Sequence, residues 1–263
     1  MEERQQAWEV YLTPWEDGDV ASICLDMAAL DERDPAAFRH LLLVKARLQN
    51  PREDGLHRSE ENESLFALED ALHAALGDTL DAVYVGRVTA DGEREFAYYA
   101  PKHLGFEEIL DTVMEGFDYE FQFAHAEEPG WDYYHEILAP GPHDMQRIMN
   151  RGVIENLEKH GDVLETPRVV DHCLYFATAG GRDAFVAEVE PEGFRVQQTR
   201  DRDDEEHPCM LELGFTQPVD SDTVDAVVLD LAQRAERHDG RYDGWSCVIM
   251  KPEGEDEGES DEG

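Results

Sequence analysis

The sequence predicts an α+β protein built from two tandem ferredoxin-like (βαββαβ) domains with antiparallel sheets. Strand-period and helix-period segments follow one another in the order βαββαβ twice along the chain. The segment PGPHD at 140–144 falls between the two series and has the Pro/Gly chemistry of a connection. The 263 residues, 41% of them hydrophobic, are enough for two cores of ordinary size. The expected domains are 1–140 and 144–252. Beyond them, residues 253–263 hold seven acids, a density that cannot be buried, so this tail is expected to stay disordered.

In the first half, two strands near 8–13 and 19–27 precede the series. HLLLVKARLQN (40–50) reads as a strand and SEENESLFALEDALHAALGD (59–78) as a capped helix. DAVYVGRVTADGEREFAYYAPK (81–102) is a hairpin turning at Asp91-Gly92, a pair that accepts the positive φ of a tight hairpin turn. HLGFEEILDTVMEGFD (103–118) is a helix and YEFQFAHAEE (119–128) a strand; the aromatic run GWDYYHEIL (130–138) then extends or follows the strand pattern.

In the second half, Met145, Ile148, Met149, Val153, Ile154 and Leu157 recur at helical spacing over 144–160. RVVDHCLYFAT (168–178) is a strand, and the helix in GGRDAFVAEVEPEG (180–193) puts Phe185, Val186 and Val189 on one face. FRVQQTRDR and PCMLELGFTQPV are strands joined antiparallel across the acidic loop DRDDEEH (201–207). The helix DSDTVDAVVLDLAQRAERHDG opens with an Asp/Ser cap and closes on Gly240. After a Tyr-Asp-Gly-Trp turn at 242–245, GWSCVIM supplies the last strand, leaving one face of this sheet uncovered.

With 22 Lys+Arg against 62 Asp+Glu the formal charge is -40, which repels phosphate backbones and anionic membrane surfaces. Direct nucleic-acid binding is not expected on that ground. MEERQQAWEV has no basic-then-apolar signal pattern, and no apolar run approaches a membrane span, so a soluble, cytoplasmic protein is expected. Cys24, Cys173, Cys209 and Cys247 are scattered without a CxxC pair and are expected to be reduced. No GxSxG, GxGxxG, Walker loop or HExxH is present, so no catalytic residue and no cofactor is assigned. The glycine pair of ATAGGRDAF lacks the Lys of a phosphate cradle and reads as a helix entry.

His125, His135 and His143, with Glu127, Glu128, Asp132, Glu136 and Asp144, raise the alternative of a metal-dependent or small-ligand-binding module. Their spacing matches no ligand pattern, and no metal residue is assigned. Trp131, Tyr133 and Tyr134, and Tyr242 and Trp245 around Asp243-Gly244, suit either core packing or an interface; the sequence leaves both uses open.

From the helix NRGVIENLEKHGD through EGFRV to the Pro-Gly-acid tail, with YDGW as the strongest point, the second half resembles the bacterial RraB family of regulators of the endoribonuclease RNase E. The first half is similar to DUF695, a family without an assigned function. The resemblance implies a protein that binds an RNase E-like endoribonuclease and inhibits or remodels RNA cleavage without touching RNA. An acidic surface agrees in sign, since it is steered toward basic RNA-binding segments. The carriers it implies are Asp201, Asp203, Asp204, Glu205 and Glu206 in the loop and Glu253, Glu255, Asp256, Glu257, Glu259, Asp261 and Glu262 in the tail. Tyr242 and Trp245 would be anchors, with Asp243 and Gly244 between them. Oligomeric state is not legible.

Overall fold

A computed structural model describes residues 6–15, 18–31, 33–201 and 206–252. The acidic tail at 253–263 and most of the acidic loop at 202–205 lie outside the described residues. The chain divides into two compact units, Met1–Asp144 and Met145–Gly263.

The first unit holds β1 (Trp8–Pro14), β2 (Val20–Asp26), β3 (His40–Arg47), α1 (Asn62–Leu80), β4 (Val83–Ala90), β5 (Glu93–Ala100), α2 (Phe106–Met114) and β6 (Phe121–Glu127). Its antiparallel sheet has the order β1-β2-β4-β5-β3-β6. The β3-to-β6 part is the expected βαββαβ series, and the β1–β2 hairpin is added beside β4. Leu65, Leu68, Leu72, Leu76 and Leu80 form the buried stripe of α1, and Phe106, Leu110 and Met114 that of α2. Both stripes close over Leu42, Val44, Phe96 and Tyr98 of the central strands. The helix runs through Gly77 to reach Leu80, and Asp81 takes the left-handed turn at its end with φ 55°. Asp91 and Gly92 turn the β4–β5 hairpin with φ 53° and 76°, as the sequence predicts.

The strand-like reading of 130–138 is corrected by the structure. Tyr134–Leu138 is a short wide helical turn. Tyr134 and Leu138 are its buried residues, and with buried Trp131 just before it they follow the spacing of a helix rather than the alternation of a strand. Trp131 lies flat on Tyr99, ring centres 4.1 Å apart, and its indole N–H donates to the Phe38 carbonyl at 3.0 Å. The segment therefore caps the sheet face opposite the helices, where the Tyr134 hydroxyl reaches the Asp26 carbonyl at 3.0 Å.

The second unit takes most of α3 (Pro142–Lys159), then β7 (Arg168–Phe176), α4 (Ala179–Val189), β8 (Arg195–Asp201), β9 (Cys209–Gln217), α5 (Ser221–Glu236) and β10 (Gly240–Cys247). Its sheet order is β10-β7-β9-β8, all antiparallel, so the same βαββαβ path recurs. Thr178 and Asp220 cap α4 and α5 by accepting the N–H groups of Gly181 and Thr223, each at 3.0 Å. Phe185, Val189, Leu231 and Ala235 press these helices onto Leu174, Phe176, Leu211 and Leu213. Ile154 and Leu157 of α3 join Val170, Val224 and Val228 in an adjoining cluster.

The helix α5 does not close on Gly240. Asp239 supplies the left-handed residue, φ 53°, and Gly240 is the buried first residue of β10. A Cβ at Gly240 would stand 2.5 Å from the Phe176 ring, so glycine is required there for space. Among the described residues no helix is long and apolar enough to cross a membrane.

Candidate partner-binding surface

The YDGW segment is not a turn that precedes the last strand; it lies inside β10. Tyr242 pairs with Leu174 and Gly244 with Cys173, so Asp243 is an extra residue, a β-bulge. The bulge changes which way the rings face. Tyr242 and Trp245, three apart, both turn to the helix side, because Trp245 now pairs with buried His172. The Tyr242 hydroxyl is 2.8 Å from His172 Nδ1. The indole N–H of Trp245 donates to Asn150 Oδ1 at 3.0 Å, and Asn150 in turn donates to Asp225 at 2.7 Å.

Gly244 has φ 148°, and a Cβ there would meet nothing within 4 Å among the described residues. Backbone conformation, not crowding, selects glycine. Gly244→Ala is expected to cost about 1–3 kcal/mol, read from the unfolding transition of Trp245 fluorescence; an unchanged midpoint would show that the bulge relaxes freely.

Val248, Ile249 and Met250, read from the sequence as part of the last strand, lie beyond it. They are held instead by a buried ion pair. Arg168 donates to Asp162 Oδ2 and to the Val248 carbonyl, and the Met250 N–H donates to the same carboxylate oxygen at 2.8 Å.

On the side away from the helices no described element of the second unit covers the sheet. Along β7, Asp171, Cys173 and Tyr175 alternate with buried Val170, His172, Leu174 and Phe176. Cross-strand pairing sets Glu212 beside Cys173 on that outer face. Asp171, Cys173, Glu212, Asp243, Gly244 and Trp245 border a shallow depression of about 320 Å3. Arg241 flanks it, 3.5 Å from Asp243 and stacked over the Tyr175 ring. Burial pushes the Cys173 thiol pKa up, which keeps it protonated and unreactive at neutral pH.

Of the acids chosen from the sequence, Asp201 ends β8 and pairs with Arg182 at 2.5 Å, and Glu206 is exposed. Asp203, Asp204, Glu205 and the tail acids lie outside the described residues. β8 and β10 are opposite edges of the sheet with β7 and β9 between them, so Asp201 and the YDGW residues are not brought together. Asp171 and Glu212, which the sequence reading did not select, lie between those edges. The signal for Asp171 was the strict alternation of RVVDHCLYF, which puts it on the face opposite Val170 and Leu174.

The histidines gather differently from the sequence expectation. His125 stacks on His103 at 4.6 Å with planes 19° apart, and His103 lies 4.6 Å from His40, while His135 meets Tyr134. Ring lone pairs lie in the ring planes, so the stacked His103 and His125 rings do not aim them at one point. Among the described residues no group of three His, Cys, Asp or Glu is arranged to hold a metal ion.

Residues 6–139 match the family described as "Family of unknown function (DUF695)", and residues 147–247 match "Regulator of ribonuclease activity B", the RraB family. No curated protein matches the chain. Among solved structures, an unknown protein from Galdieria sulphuraria aligns over 78% of this chain and 99% of its own, at 11% identity and a TM-score of 0.21.

Proposed function

The chain belongs to the DUF695 family and carries an RraB domain, of the regulators of ribonuclease activity, as its second half; from that premise we propose that it is a cytoplasmic, protein-binding regulator of an RNase E-type endoribonuclease. It inhibits or modulates RNA cleavage by binding the nuclease, without catalysis of its own and without contacting RNA. The observation that carries this reading is the match of residues 147–247 to that family.

Physical chemistry supports the same direction. A net charge of -40 repels RNA and attracts the basic segments by which a nuclease holds RNA, so the two compete for one surface. The contact surface we assign is the uncovered sheet face: Asp171, Glu212 and Asp243 around the depression, while the Trp245 ring holds β10 from the helix side. Asp201, across from Cys209 at the other edge, turns to the helix side, where it pairs with Arg182 of α4, and is left out of this face; the acids at 203–206 are kept as a second acidic stretch on charge alone. Tyr242 and Gly244 keep β10 in its bulged shape, which presents Asp243 outward.

The test is RNA cleavage by purified RNase E-type nuclease with and without this protein, at low and moderate salt. Inhibition that weakens with salt is expected. Asp171→Asn, Glu212→Gln and Asp243→Asn together are expected to weaken the complex at least about tenfold and to flatten its salt dependence, with the fold intact. Absence of both inhibition and complex at either salt would sink the reading. Inhibition unchanged by the triple substitution would keep the target and move the contact surface elsewhere.

A further inference from the structure

The two sheets end on four strands, β1 and β6 in the first unit and β8 and β10 in the second. An edge strand offers unpaired backbone groups to any other strand, and proteins usually blunt it with bulges, proline or lysine. β8 and β10 carry bulges, at Val196/Gln198 and Tyr242/Gly244. β1 ends on Pro14. β6, with the sequence FQFAHAE, has no such device, and Gln122–Glu127 are all exposed.

The direction of its unpaired groups follows from the ladder. Arg47 N–H donates to the Glu120 carbonyl and Glu128 N–H to the Arg39 carbonyl, at the two ends of the β3–β6 register. In an antiparallel pair, hydrogen-bonded positions alternate. The even-numbered residues of β6 therefore bond to β3. Phe121, Phe123, His125 and Glu127 turn their N–H and C=O groups outward, where no described strand meets them.

We propose that this edge is a homodimer interface, in which β6 of one copy pairs antiparallel with β6 of a second about a two-fold axis at Ala124. In that register every outward-facing residue meets an outward-facing residue: Phe123 lies opposite His125, and Phe121 opposite Glu127. Within β6 no carboxylate faces a carboxylate; one position further out Glu120, paired with Arg47, lies opposite Glu128.

Charge favours a second copy over a basic partner here. β6 holds a single acid, Glu127, tied to Arg39 at 2.5 Å. Its neighbour β3 holds no acid but has Lys45 and Arg47. In a chain of net charge -40 this near-neutral edge lets two copies approach with little local repulsion, and it has no excess of acid to select a cationic strand. Pairing would also cover apolar surface. Phe123 is 38% exposed, and Leu104, beside the His103 that stacks on His125, is 83% exposed. The two six-stranded sheets would then run on as one.

The test is the mass of the full chain by sedimentation velocity across a concentration series at low and high salt. A mass that climbs to twice the monomer is expected, and the dimer should tighten with added salt because salt screens the repulsion between the two copies. His125→Pro removes an outward N–H and leaves the β3 hydrogen bonds in place. Phe123→Asp brings a carboxylate into the pair. Each is expected to weaken the dimer about tenfold or more while circular dichroism remains that of the parent. A monomer at every concentration and salt overturns the proposal, whether the edge then serves a different protein or none. So does a dimer whose affinity is unchanged by Phe123→Asp. The ribonuclease reading is tested separately and stands or falls without this result.

Discussion

Arg168→Ala is expected to destabilise the second unit by about 3–5 kcal/mol, the range for removing one partner of a buried ion pair. The Arg168 side chain is 2% exposed and that of Asp162 is fully buried. The guanidinium spends its donors on four groups: Asp162 Oδ2, the Val248 carbonyl, the Val163 carbonyl and the Thr166 carbonyl. Asp162 also accepts the Met250 N–H, and the Val163 N–H donates to the Met250 carbonyl at 2.8 Å. One side chain thus joins the loop after α3, the start of β7 and the segment after β10, and its loss strands a buried carboxylate and takes a donor from three carbonyls.

Denaturant unfolding followed at Trp245, the only tryptophan of the second unit, reads the effect directly. A loss under about 1 kcal/mol would show that water replaces the guanidinium and that the pair behaves as a surface bridge. The double variant Arg168→Met, Asp162→Leu is expected to lose less than Arg168→Ala, because no charge is left buried alone.

The element order could be read from the sequence because hydrophobic period survives heavy charge. Leucines at 65, 68, 72 and 76 mark α1 although acids lie between them, and Asp91-Gly92 marks its hairpin by backbone chemistry alone. Trp131, Tyr134 and Leu138 misled because aromatic composition suggests a strand, whereas only their spacing carries the helical turn. Gly240 misled for a related reason: an aspartate can take the left-handed turn, which releases the glycine to solve a packing problem against Phe176.

The surface was less legible than the fold. YDGW could be noticed, but a bulge is a relation between two strands, and Tyr242 and Trp245 share a face only because β7 skips Asp243. Asp171 and Glu212 are two of 62 acids, and only the β10–β7 and β7–β9 registers together set them beside Asp243. β6 looked like any short strand until its place at the sheet edge was known.

A second large effect is expected from acid. His172 is fully buried between Phe194 and Tyr242, and burial pushes its pKa down to about 4. Its Nδ1 is taken up by the Tyr242 hydroxyl, and its Nε2 has no hydrogen-bond partner among the described residues. A proton at Nε2 would therefore have no acceptor and no counter-charge in contact. In the unfolded chain the same imidazole titrates near ~6.5. The folded pKa lies below the unfolded one, so between these values the unfolded state takes up a proton that the folded state refuses. Stability is complete above about 6.5, falls as pH drops at up to ~1.4 kcal/mol per unit, and stops falling from this cause once pH is below the folded value. The total is roughly 3 kcal/mol.

His172→Gln keeps a polar partner for the Tyr242 hydroxyl but cannot take up a proton in this range. The difference in unfolding free energy between parent and variant should thus shift steadily in the variant's favour from pH 7 to pH 4, while carboxylate titration, common to both proteins, cancels. A pH-independent difference would mean that His172 acquires a proton acceptor as the fold relaxes, and that the apolar surroundings of its Nε2 do not persist in solution.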